Sequence, residues 1–314
     1  MTFILLIVGF ALLLVGADAI VTGASTFARR IGISEMAVGL SVVSIGTSLP
    51  ELVVNVMASV QGNAGLAIGN VLGSNIANGL LILGVAAVIR PLPITERTLL
   101  SEIPFTLAAA LLVGFLANAA LFSVPGPLTI SRIDGAILIF FFLLFLSYLF
   151  GVARDTLSAT SESGPTLPAL ARMGGGCLAL AIGGKWVVDS ALDLGGQFGM
   201  SESFVGITVV AIGTSVPELM TSAVAAYRGK SDLAIGNVVG SSIFNLLWVL
   251  GVSALINPIP FDVLSNSDLA MVIASSTLLI GAVVLGSPRA IARWEGGCLL
   301  VTYCAYLAFV VKRG

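Results

Sequence analysis

Two near-copies of one seven-residue stretch, 167 residues apart, constrain this chain more than any other feature. The first is Ile45-Gly46-Thr47-Ser48-Leu49-Pro50-Glu51. The second is Ile212-Gly213-Thr214-Ser215-Val216-Pro217-Glu218, identical at six of the seven positions. Each lies inside a long apolar run, so each places a carboxylate where hydrocarbon should surround it. An ionised group at that depth is costly and marks a functional site by default. The proline removes a backbone donor and clashes with the preceding turn. A helix is therefore expected to open just before Glu51 and Glu218, freeing carbonyls that can face an ion.

The apolar runs are long enough to cross a membrane. The chain is 57% hydrophobic and only 10% charged, against about 25% charged residues in soluble domains. Spans need about 20 apolar residues. Ten such runs are expected, roughly at 3–28, 36–61, 64–88, 99–121, 133–152, 171–196, 203–227, 231–255, 268–286 and 294–312, with ends good to a few residues. Phe3 to Val15 followed by Ala17-Asp18-Ala19 resembles a cleavable leader, but no basic segment precedes it, so it is read as a retained first helix. No basic patch points to nucleic acid, and no obligate protein partner is evident. Cys177, Cys298 and Cys304 show no metal spacing, and the chain has no histidine. They are read as small packing residues, with no zinc or haem cofactor.

The repeat extends well beyond the opening stretch. At the same offset Gly16 matches Gly183, Gly39 matches Gly206 and Gly84 matches Gly251. Leu66 to Asn78 matches Leu233 to Asn245 at ten of thirteen positions. Arg90-Pro-Leu-Pro93 answers Asn257-Pro-Ile-Pro260, and after a six-residue length change Arg132-Ile-Asp-Gly135 answers Arg293-Trp-Glu-Gly296. The chain therefore divides into a first five-span repeat (1–152), a cytoplasmic linker (153–170) and a second five-span repeat (171–314). Five is odd, so the second repeat must enter the membrane from the opposite side. The repeats are inverted about an axis in the membrane plane, which brings Glu51 and Glu218 together near the midplane. Ten of the fourteen basic residues fall in the connections after odd-numbered spans: Arg29, Arg30, Arg90, Arg97, Arg154, Arg172, Arg228, Lys230, Arg289 and Arg293. The positive-inside bias then puts both termini on the non-cytoplasmic face of the cell membrane.

The side chains near the two glutamates are hard oxygen donors. Thr47 and Glu51 share a helix face, with Ser48 beside them, and Thr214, Ser215 and Glu218 repeat the set. In span 3, Asn70, Ser74 and Asn78 form a polar stripe, repeated in span 8 as Asn237, Ser241 and Asn245. Oxygen-only donors suit Ca²⁺, Mg²⁺ or Na⁺. Two bidentate carboxylates and two carbonyls supply about six oxygens, which favours Ca²⁺ over a water-retaining Mg²⁺. Asn70 and Asn237 are read equally well as ligands or as bonds between neighbouring helices. Two desolvated carboxylates cost several kcal/mol each when unpaired, so only the cation-loaded or protonated site should cross, and transport should be an obligatory exchange.

With these residues in view, the chain resembles the cation/calcium exchanger superfamily, specifically the compact prokaryotic sodium/calcium exchangers. The resemblance covers essentially the whole chain and rests on the paired Gly-Thr-Ser-x-Pro-Glu and Gly-Asn-x-x-Gly-Ser-x-x-x-Asn motifs. It implies an all-α integral membrane fold of ten transmembrane helices in two inverted five-helix repeats. Spans 2, 3, 7 and 8 would form a core broken at the ion site, across which spans 1 and 6 slide. By motif, Glu51 and Glu218 would hold Ca²⁺ with the carbonyls of Thr47 and Thr214. Sodium would use Thr47, Ser48, Thr214, Ser215, Ser74 and Ser241 and the carbonyls of Ser44 and Ala211, with Asn78 and Asn245 lining the centre. Some relatives carry an acid where Asn245 stands. Two negative charges balance one Ca²⁺ or two Na⁺, so a three-sodium stoichiometry would leave one excess positive charge. The implied function is Ca²⁺/Na⁺ antiport, with Ca²⁺/H⁺ antiport as the alternative. Proton-coupled relatives tend to have Gly-Asn where this chain has Gly-Thr-Ser.

A channel fits less well, because paired carboxylates bind too tightly for rapid throughput. An intramembrane enzyme lacks a histidine or an activated nucleophile. In span 6, Lys185, Asp189 and Asp193 are spaced by four, and Lys185 is the repeat partner of Asp18. Lys185 pairs with Asp18, snorkels to the interface, or pairs within its own helix with Asp189.

Overall fold

The computed structural model describes residues 2–121, 127–155, 164–197, 213–285 and 289–313. Helix α1 (Thr2–Ile31) is followed by α2 (Glu35–Thr47) and α3 (Leu49–Val60), two halves of one apolar segment bent by 47°. Then come α4 (Ala64–Ile89), the short α5 (Glu96–Leu100), α6 (Glu102–Ala117) and α7 (Arg132–Asp155). The second half supplies α8 (Leu167–Gln197), α9 (Val216–Tyr227), α10 (Ser231–Ile256), α11 (Ser265–Leu285) and α12 (Arg293–Arg313). Among the described residues seven helices are long and apolar enough to cross a membrane, or eight if the bent pair counts as one span. Residues 203–212 of the expected span 7, and 156–163 of the linker, lie outside the described residues.

Local sequence explains where these helices start and stop. Pro50 and Pro217 sit in the first turn of α3 and α9, where a missing N–H costs nothing. The residues before those helices, Ser48 and Ser215, leave helical geometry alike, at φ −88° with ψ 10° and 4°. The Asn63 side chain accepts from the Leu66 N–H and starts α4. Gly62 and Gly229, at matched positions, turn the chain with φ of +72° and +74°, a conformation that glycine adopts without strain.

One expectation needs correction. The third and eighth spans are not broken. Helices α4 and α10 run through without interruption and widen into π-helical segments at Ala77–Ile82 and Phe244–Val249. These segments contain Asn78 and Asn245. A π turn loosens the hydrogen-bond ladder by one residue without a proline and recurs at functional sites.

Lipid tails are as apolar as leucine, so close packing rather than hydrophobicity holds membrane helices together. Helices α1 and α8 cross on glycine. A β-carbon on Gly16 would lie 2.8 Å from the Gly176 carbonyl oxygen, and one on Gly183 would lie 2.8 Å from that of Gly9. Gly9 and Gly176 are repeat partners, as are Gly16 and Gly183. The same exchange recurs elsewhere. Gly84 meets Gly296 while Gly251 meets Gly135. Two short antiparallel ladders tie β1 (Leu92–Pro93) to β4 (Ala290–Ile291) and β2 (Thr129–Ile130) to β3 (Ile259–Pro260), again between matched segments. Arg132 donates to the carbonyls of Leu255 and Ile256, and its partner Arg293 to that of Ile89.

Candidate functional site

The breaks before α3 and α9 meet α4 and α10 in the protein interior. Ser44, Thr47, Ser48, Glu51, Ser74, Asn78, Ser215, Glu218, Ser241 and Asn245 are all buried, none more than 2% exposed. Thr214 is partly buried beside them, and Ala211 lies outside the described residues. The breaks place the glutamates one turn into new helices, where the helix N-terminus favours negative charge. The Ser48 hydroxyl, three residues before Glu51, donates to Glu218 Oε1 at 2.7 Å. That bond ties the first break to the carboxylate of the second.

The asparagines whose role the sequence left open turn out to bind the helices together. Asn237 Nδ2 donates to Ser222 Oγ at 3.0 Å and to the Glu218 carbonyl at 3.4 Å. Its Oδ1 accepts from Thr47 Oγ1 at 3.1 Å. Asn70 repeats the pattern with Asn55 Oδ1, the Glu51 carbonyl and Thr214 Oγ1. Each amide thus clamps a threonine from one repeat and a glutamate backbone from its own. Asn55 and Ser222 were missed by sequence reasoning. Their signal was available, since they are matched polar residues one turn after each glutamate.

A second set of buried atoms is left without hydrogen bonds among the described residues. It includes both carboxylate oxygens of Glu51, Glu218 Oε2, Ser74 Oγ, Ser215 Oγ and the side-chain oxygens of Asn78 and Asn245. A buried unsatisfied polar atom costs about 1–3 kcal/mol, more when charged. The unsatisfied atoms near the breaks are oxygens, apart from Asn245 Nδ2, and most belong to residues expected to hold ions. The Ser44 carbonyl differs, accepting from Thr47 Oγ1 at 3.3 Å and Ser241 Oγ at 3.4 Å. No cluster of three or more His, Cys, Asp or Glu side chains occurs among the described residues, so the site charge comes from two carboxylates. The arrangement of oxygen donors suits a hard cation.

The match of Asp18 with Lys185 does not become a contact. Asp18 pairs with Arg228, at the end of α9. Lys185 lines a cavity of about 250 Å³ between α8 and the breaks, with Asp189, Pro50, Thr214 and Pro217.

The sodium/calcium exchanger protein family model matches residues 1–151 and 169–312. The chain is 32% identical to the sodium/calcium exchanger MaX1 of Methanosarcina acetivorans, over 82% of this chain and 84% of that one. It is 36% identical to the putative antiporter CaxA of Alkalimonas amylolytica, over 82% of both chains. The inner membrane protein YrbG of Escherichia coli is 41% identical over 70% of this chain and 69% of its own. Among solved structures, the sodium-calcium exchanger NCX_Mj superposes with a TM-score of 0.81 at 31% identity, covering 98% of both chains. Its crystals were soaked with Na⁺, Ca²⁺ or Sr²⁺. The described helices, the buried oxygen site and these matches agree that the chain belongs to the sodium/calcium exchanger family of membrane cation/calcium antiporters.

Proposed function

We propose that the protein exchanges Ca²⁺ for Na⁺ by alternating access, with Glu51 and Glu218 as the shared ligands. The observation that carries this reading is the pair of buried carboxylates, with three of their four oxygens free of hydrogen bonds and no lysine or arginine in either motif. Ca²⁺ takes both carboxylates with the carbonyls of Thr47 and Thr214. Na⁺ takes hydroxyls from Thr47, Ser48, Thr214, Ser215, Ser74 and Ser241 and the carbonyls of Ser44 and Ala211. Asn78 and Asn245, in the π-helical segments, line the centre. Desolvating two bare carboxylates costs several kcal/mol each, so the unloaded site does not cross and the two fluxes are coupled.

Ten spans in two inverted five-helix repeats, 1–152 and 171–314 around a linker at 153–170, supply the two access states. The exchanged glycine crossings and ladders support this topology, because each contact in one half has its counterpart in the other. The basic-residue bias places both termini outside the cytoplasm. Two protons would balance Ca²⁺ as well as two Na⁺, which keeps Ca²⁺/H⁺ exchange as the second reading. Ca²⁺ flux in proteoliposomes under separate Na⁺, K⁺ and H⁺ gradients tests both. Acceleration by an opposing Na⁺ gradient is expected, and it should vanish in Glu51→Gln and Glu218→Gln. Flux that ignores Na⁺ and follows pH would replace sodium with protons.

A further inference from the structure

We propose that Lys185 and Asp189 form an electrostatic filter beside the ion site, weighting monovalent against divalent entry from one face. The proposal rests on the exchange function above. One wall of the 250 Å³ cavity carries Pro50 and Pro217, each one residue before a site glutamate, and Thr214, a proposed ligand. The opposite wall is α8, where Lys185 and Asp189 are exposed one turn apart. Among the described residues that line it they are the two charged ones, and the others are uncharged. Among the described residues Lys185 makes no salt bridge, whereas its repeat partner Asp18 is paired with Arg228. An unpaired ammonium on the wall of a cavity that reaches Thr214 binds nothing the site needs, but its field acts on every ion that enters there.

The field discriminates by valence. A fixed potential changes an ion's energy in proportion to its charge, so the factor for a divalent ion is the square of that for a monovalent one. A unit charge about 9 Å away through water changes the local concentration of a monovalent ion about twofold, and so that of a divalent ion about fourfold. Lys185 therefore handicaps Ca²⁺ relative to Na⁺, and Asp189 opposes it. The balance between the two sets how strongly Na⁺ competes on the face to which this cavity opens. Neither residue ligates the ion, so turnover at saturation stays unchanged.

The test measures apparent KM for Ca²⁺ and Na⁺ in sidedness-sorted proteoliposomes, at low and high choline chloride. Lys185→Gln is expected to lower the Na⁺ constant about twofold and the Ca²⁺ constant by the square of that factor, on one face only. Asp189→Asn should raise both by the same law. High salt should collapse these differences, and Lys185→Arg should keep wild-type constants. Equal factors for the two ions, indifference to salt, or a shift in Lys185→Arg equal to that in Lys185→Gln would overturn the filter and indicate a steric role. Absence of Na⁺-driven Ca²⁺ flux in the wild type would defeat the exchange reading alone. The filter would then be judged by the salt dependence of the Ca²⁺ association rate in wild type and Lys185→Gln, where no difference between them would refute it.

Discussion

Replacing Gly176 by alanine should separate helices α1 and α8 and weaken the protein without altering the ion site. A β-carbon there would lie 2.7 Å from the Gly16 carbonyl oxygen and 2.7 Å from Ile20 Cγ1. Ordinary contacts of this kind are about 3.5–4.0 Å, so the helices must part by most of an ångström or Ile20 must leave its rotamer. The oxygen belongs to backbone and cannot swing away. Overpacking of this kind costs about 1–3 kcal/mol. Gly174 and Gly175, on the same helix, have nothing within 4 Å of an added β-carbon, and alanine there should gain slightly from helix propensity. The assay is thermal unfolding of the purified protein in detergent, alongside Ca²⁺ exchange in proteoliposomes. Gly176→Ala and Gly183→Ala, whose β-carbon would lie 2.8 Å from the Gly9 carbonyl oxygen on the same seam, should lower Tm by similar amounts and slow turnover, leaving the ratio of Ca²⁺ to Na⁺ affinity unchanged. Equal Tm loss in Gly174→Ala and Gly176→Ala would refute the argument, since only the second meets backbone.

Ca²⁺ at one hundred times its dissociation constant should stabilise the wild type by about 2.7 kcal/mol, and this gain in Tm should disappear in Glu51→Gln and Glu218→Gln. Asn237→Ala leaves Thr47 and the Ser222 hydroxyl without their amide partner, so a loss of about 1–3 kcal/mol is expected in unfolding assays. Asn70→Ala should behave alike. Acid should depress Ca²⁺ uptake, because a proton on either glutamate removes half the site's negative charge; uptake measured against pH should rise to an alkaline plateau. Gly229→Ala, at φ +74°, should cost at least about 0.5–1 kcal/mol, where the same change at the helical Gly174 costs nothing.

Much of this protein is legible in its sequence. The apolar runs, the repeat and the two glutamates follow from composition and spacing, because hydrocarbon tolerates a carboxylate only for a reason. The proline positions foretold the break before Glu51 and the helix start before Glu218. The π-helical segments at Asn78 and Asn245 carried no such mark, since no proline or glycine pair is needed to widen a helix by one residue. The partners of Asn70 and Asn237 were equally hidden, although Asn55 and Ser222 stood at matched positions.

What the sequence determined alone is which segments enter the membrane and which charged groups they carry. What tertiary structure decided is how those segments face one another. Asp18 meets Arg228 rather than Lys185, and the Ser48 hydroxyl bonds the Glu218 carboxylate while the Ser215 hydroxyl and the Glu51 carboxylate do not pair in the same way. The physical reason is that lipid and protein interiors are equally apolar. A membrane helix shows no amphipathic stripe to mark its packed face, so lateral pairing and rotation are set by glycine crossings and buried hydrogen bonds that appear only once the helices meet.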